Sequence, residues 1–147
     1  TAREQILRLT PAACQTSING TSKTITFDHI FSEGSGRLYA PVMLPDGATL
    51  TEMRAIYEDA DSDSQLSFVL RSVENNGNTD LLAAVTTADE SGVVEVSDAS
   101  SLPHVVDNDT YNYMVYVGDD SNDWGPNPNF TTRVIGVEIT YTLSEAL

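Results

Sequence analysis

Cysteine is nearly absent from this chain, Cys14 being the only one. No disulfide can therefore close within it, and an unpaired cysteine of this kind is usually buried as a small apolar residue. Histidine is scarce too, with His29 and His104 the only two in 147 residues. Zinc needs three or four histidine, cysteine or carboxylate ligands at a proper spacing, and neither histidine lies in such a motif. Asp28 precedes His29, but adjacent residues on a strand face opposite sides. There is no Gly-x-Ser-x-Gly elbow and no glycine-rich phosphate loop, so nucleophilic catalysis and phosphate binding lack their usual anchors. The expectation is a protein that is not an enzyme.

Positive charge is equally short. Lys23 is the only lysine, and seven Lys and Arg against 22 Asp and Glu give a formal net charge of −15. Phosphate backbones are held by clustered cations, which argues against nucleic acid as a partner. Anionic membrane surfaces are disfavoured for the same reason. No run approaches the roughly 18 apolar residues of a membrane span, so no membrane insertion is expected.

What is present is acidic, rich in Ser and Thr, and of ordinary hydrophobic content at 40%. That suits a folded domain whose charge keeps it soluble, and it points to a secreted protein at an extracellular surface. Asn-x-Ser/Thr sequons at Asn19, Asn108 and Asn129 are candidate glycosylation sites and fit the same habitat.

The apolar residues recur with period 2 rather than 3.6. Met53, Ala55 and Tyr57 share one face; so do Leu66, Phe68 and Leu70; so do Tyr111, Tyr113, Val115 and Val117; so do Ile135, Val137, Ile139 and Tyr141. Further strands are expected at 24–27, 38–43, 81–86 and 93–96, about eight in all. Turn chemistry separates them at Pro45-Asp46-Gly47, Asn75-Asn76-Gly77-Asn78 and Asp89-Glu90-Ser91-Gly92, with a longer loop over 118–129. The expected fold is all-β: a single antiparallel β-sandwich of jelly-roll type over residues 23–147, preceded by an extended N-terminal arm over 1–22. The last strand reads as a central one.

Two stretches carry a resemblance. Tyr39-Ala40-Pro41-Val42-Met43-Leu44-Pro45-Asp46-Gly47-Ala48 leads into a strand, and Gly136-Val137-Glu138-Ile139-Thr140-Tyr141-Thr142 forms a closing one. Over residues 38–143 the chain resembles small secreted bacterial β-sandwich domains, jelly-roll-like and mostly of unknown function. The shared motifs describe a turn and two strands, so the resemblance implies fold and export and carries over no active-site residue.

Three features are candidates for function. The loops around 58–63 and 119–123 concentrate carboxylates, and Asp59, Asp61, Asp63, Asp119, Asp120 and Asp123 are candidate Ca²⁺ ligands. The same loops read equally as solvated, mutually repelling turns that aid solubility. Trp124, beside Asn127, has the make-up of a sugar site, an aromatic ring to stack on a pyranose and an amide for its hydroxyls; otherwise it packs over the end of the sandwich. In the arm, Ile6, Leu7 and Leu9 are apolar, and the arm either packs on its own sandwich or adds a strand to a neighbour's sheet edge. The leading functional expectation is an extracellular structural subunit that self-assembles as a homo-oligomer, in a filament, surface layer or particle coat. The alternative is a carbohydrate-binding, lectin-like module with glycans as partners, with or without Ca²⁺.

Overall fold

The computed structural model describes residues 2–10, 15–16, 22–25, 30–33, 35–59, 66–88, 90–123 and 132–144. Among them there are twelve strands and no helix. In chain order they are β1 Ala2–Leu9, β2 Gln15–Thr16, β3 Ser22–Ile25, β4 Ile30–Glu33, β5 Ser35–Val42, β6 Thr49–Asp59, β7 Leu66–Glu74, β8 Thr79–Thr86, β9 Glu90–Asp98, β10 His104–Val105, β11 Tyr111–Asp123 and β12 Thr132–Ser144.

The strands form two antiparallel sheets. One runs β2-β5-β11-β7-β8. The other is built on β6 and β12, with β9 and β10 end to end along the free side of β6, and β1 and β4 end to end along the free side of β12. Four pairs nest inside one another: β4 with β12, β5 with β11, β6 with β9, β7 with β8. That nesting makes the sandwich a jelly roll, and it places β12 between partners on both sides, a central strand as its sequence reads.

The core lies between the sheets and is made by period-2 alternation. Leu38, Ala40 and Val42 point in from β5; Met53, Ala55 and Tyr57 from β6; Leu66, Phe68 and Leu70 from β7; Tyr113, Val115 and Val117 from β11. Tyr57 and Phe68 stack across the two sheets, ring centroids 5.6 Å apart.

Three expectations change. The face of β12 does not begin at Ile135: the register shifts between Val134 and Gly136, so Val134 is buried and Ile135 only partly so. Of the turn expected at 89–92, residues 90–92 belong instead to β9, which starts at Glu90. Gly92 supplies the φ of +88° beside a register shift against β6, a left-handed conformation that side chains resist. The loop expected from Gly118 is strand up to Asp123.

Ala2–Leu9 of the expected arm pair along their whole length with β12 of the same chain, Ala2 opposite Ser144 and Leu9 opposite Val137. Leu9 joins the core, Leu7 packs partly against it, and Ile6 remains 50% exposed. Gly136 permits the close approach, since a Cβ there would stand 3.2 Å from the carbonyl oxygen of Leu9. Two of the three proposed assembly residues are thus engaged at home, because that burial is available without a neighbour.

Polar contacts fix the same strand. Glu138 on β12 is buried, at 3% exposure, between Arg8 on β1 and Arg54 on β6, both directly opposite it in register. Both arginines hydrogen-bond its carboxylate, Arg54 through Nε at 3.1 Å among others. Arg54 also reaches Glu95 on β9 at 3.3 Å. One transverse row of charges therefore ties four strands. The hydrogen bond from Arg54 holds the Glu138 carboxyl below the usual carboxylate range, against burial, with Arg8 assisting.

Candidate ligand-binding face

Because Leu38, Ala40 and Val42 point inward on β5, Tyr39 and Pro41 lie on the outer face of the five-stranded sheet. By the same alternation β11 presents Asn112, Met114 and Tyr116, and β7 presents Ser67, Val69, Arg71 and Val73. Register assembles them into rows. Tyr116 lies opposite Tyr39 on one side and Val69 on the other. Met114 lies opposite Pro41 and Arg71, and Asn112 lies opposite Val73.

Tyr39, Pro41, Val73, Asn112, Tyr113 and Met114 line an open groove of about 390 Å³. Its walls are mostly apolar, and its polar groups are few. The Tyr39 hydroxyl and the Asn112 amide have no hydrogen-bond partner among the described residues. At the margin, the Arg71 guanidinium lies 5.4 Å from the Tyr116 ring centroid. Its Nη1 donates to Thr79 Oγ1 at 3.1 Å, while its Nε is buried with no acceptor. An aromatic and apolar floor with a few unspent polar groups is the make-up of a small-ligand site.

A second polar cluster sits at one end of the sandwich. The Tyr113 hydroxyl accepts the Asp107 N–H at 3.0 Å and lies 3.0 Å from His104 Nε2. The His104 ring meets the rings of Tyr111 and Tyr113 edge-on, at 6.0 and 5.6 Å. Burial pushes His104 below the ordinary histidine value and Tyr113 above the ordinary tyrosine value. The side-chain hydrogen bond from Thr110 holds Asp107 below the usual carboxylate range. Every group here is used to hold the 104–113 segment. Tyr113→Phe is expected to cost about 1–2 kcal/mol, because the Asp107 N–H loses its acceptor. Urea unfolding checks this, and an unchanged midpoint would show that water replaces the hydroxyl.

Asp59 ends β6, and Asp119, Asp120 and Asp123 lie on β11 beyond Gly118, not in a loop. The strand continues there because β7 and β5 are still beside it, Asp119 opposite Leu66 and Asp123 opposite Ser35. Among the described residues no group of three or more His, Cys, Asp or Glu is placed to hold a metal ion. Glu58 pairs with Arg133 across the β6–β12 register. Asn108 is exposed, but its Nδ2 donates to the Leu44 carbonyl and its N–H to Asp46 Oδ1, both at 2.9 Å. Asp61, Asp63, Trp124, Asn127, Asn19, Asn129, Cys14 and His29 lie outside the described residues. The residues the sequence reading missed are Tyr39, Tyr116, Arg71 and Asn112. Their signal was the opposite parity of the strands whose core face had been identified.

No family model matches the chain, and no curated protein sequence matches it. Solved structures do resemble it in fold. The C-terminal family 6 carbohydrate-binding module of a marine laminarinase from Zobellia galactanivorans aligns at a TM-score of 0.57 and 13% identity, over 92% of this chain and 99% of that one. A family 22 xylan-binding domain from Paenibacillus barcinonensis aligns at 0.59 and 11%, over 97% of both chains. A mannanase with a family 35 module from Podospora anserina aligns at 0.55 and 16%, over 98% of this chain and 29% of that one. These are β-sandwich domains, as this chain is.

Proposed function

We propose that the chain is a secreted, non-catalytic glycan-binding module whose ligand lies on the outer β5–β11–β7 face. The observation that carries this reading is the cross-strand pair Tyr39 and Tyr116 beside the groove, with Asn112 and the Tyr39 hydroxyl unspent. A pyranose presents apolar C–H faces and a rim of hydroxyls. Tyrosine rings cover the former, and amide and phenol groups serve the latter. The open groove suits a chain laid along the sheet, and burial pushes His104 below the ordinary histidine value within its own cluster. The fold neighbours support the same reading, since one is a xylan-binding domain and others include carbohydrate-binding modules.

Self-assembly through the arm draws less support, because Leu7 and Leu9 are packed into this chain's own sandwich. Trp124 remains the alternative site, and substitution separates the two. Titration calorimetry against a panel of soluble oligosaccharides should find binding that falls about tenfold or more in Tyr116→Ala, the loss of one stacked ring being worth roughly 1.4 kcal/mol. The melting temperature should stay nearly unchanged. Binding that survives Tyr116→Ala and Tyr39→Ala together but vanishes in Trp124→Ala would assign the ligand to Trp124 in place of these tyrosines.

A further inference from the structure

We infer that this face takes a glycan carrying an isolated acidic sugar, whose carboxylate is received by Arg71; the inference rests on the glycan-binding reading above. In a chain with 22 carboxylates and seven cations, an arginine finds an acid easily. Arg8 and Arg54 pair with Glu138, Arg54 also with Glu95, and Arg133 with Glu58. Arg3, exposed on β1, has no such pair among the described residues, and neither has Arg71, which is not exposed. It is half-buried, bonded to the neutral Thr79 and stacked on Tyr116, and it has no carboxylate partner among the described residues.

Its Nε is buried without an acceptor. The same atom of Arg133 is also unmatched, but the Arg133 charge is answered by Glu58. The Arg71 Nε, being buried, lies out of a ligand's reach, so a planar carboxylate would be gripped by the two Nη groups, which meet no carboxylate among the described residues. Arg71 stands opposite Met114, which lines the groove, and two residues along the same face of β7 from Val73, which lines it too. A carboxylate on a sugar lying in the groove is therefore within a side chain's reach of it.

The remaining polar groups, Tyr39 and Asn112, are neutral and match hydroxyls. The net charge of −15 sets a further limit. A dense polyanion would bring successive carboxylates within the roughly 8 Å over which an acidic surface repels at physiological salt. The ligand that fits is a neutral backbone with sparse uronic acids.

The test is a panel of xylo-, manno- and gluco-hexaoses, each supplied plain, with one glucuronic acid branch, and with that branch as its methyl ester. Binding is titrated against the whole chain. One backbone should bind about tenfold tighter with the free acid than with the ester. Arg71→Gln should bring the two within twofold. Arg71→Lys should recover only part of the preference, since an ammonium restores the charge without the fork. Acid, ester and plain forms bound alike, with all binding lost in Tyr116→Ala, would overturn the acidic ligand and leave the glycan-binding face standing. A preference that persists in Arg71→Gln would overturn the role of Arg71. Binding to no member of the panel would overturn both readings. If Arg71→Gln does not fold, the acid and ester comparison on the unaltered chain decides whether an acid is preferred, and Arg71→Lys decides whether Arg71 receives it.

Discussion

Phe68→Ala is expected to lower the stability of the fold by about 3–5 kcal/mol, a large part of what a domain of this size possesses. Phe68 on β7 is fully buried, and its ring stacks on Tyr57 of the opposite sheet at an interplanar angle of 30°. Leu66 and Leu70 flank it along its own strand, also with no exposed area. Removing the ring gives up the transfer free energy of its carbons and leaves a cavity that two hydrogen-bonded sheets cannot close. Phe68→Leu keeps most of the volume and should cost about 1–2 kcal/mol. Urea unfolding of both variants checks the ratio. Equal, small losses would mean that the sheets can move together at this point, contrary to the packing described.

The second large effect is expected at Glu138. Truncation to alanine should cost about 2–4 kcal/mol, below the full penalty for breaking a buried ion pair. The reduction comes from the arginines: the Arg8 and Arg54 side chains are 68% and 35% exposed, so water can serve part of what the carboxylate served. Arg8→Ala, by contrast, should cost no more than about 1 kcal/mol, because it removes the more exposed partner and leaves Arg54 in place. The sign of the pH dependence follows from the depressed carboxyl. Its stabilising effect is fully present above the ordinary glutamate value of 4.5 and is lost as pH falls through its lower folded value. The difference in melting temperature between the unaltered chain and Glu138→Gln should therefore be largest near neutral pH and shrink below that value. A difference that stays constant down to pH 3 would assign the effect to packing instead of charge.

The large inward faces were legible because alternation is a direct record of burial. Met53, Ala55 and Tyr57, or Tyr113, Val115 and Val117, cannot exchange faces without putting every apolar group in water. β12 was legible as a central strand with Val137 and Ile139 inward, but not at its start, since one bulge before Gly136 moves burial from Ile135 to Val134. β1 was hard to place because only Leu9 of its eight residues is fully buried, so its alternation is nearly all polar or exposed. The Asp-rich end of β11 reads as loop from its side chains, yet backbone pairing with β7 and β5 holds it as strand. Tyr39 and Tyr116 follow from the parity of their strands once the inward residues are known. The isolation of Arg71 does not, because which carboxylate meets which arginine is decided by register between distant strands.

The pairing of strands distributes the entropy of loop closure unevenly. The β7–β8 hairpin closes over Asn75–Asn78, whereas pairing β1 with β12 sets Ala2 against Ser144 and closes almost the whole chain. With a closure term growing as the logarithm of loop length, the outer pair is disfavoured by roughly 3 kcal/mol relative to the inner hairpin. That deficit falls on a strand with one buried side chain. Leu9 and the Arg8–Glu138 contact are the contributions that offset it, and both lie at the inner end of β1. The first and last described strands are thus joined by a seam fastened at its far end, with its opening lying at Ala2 and Ser144.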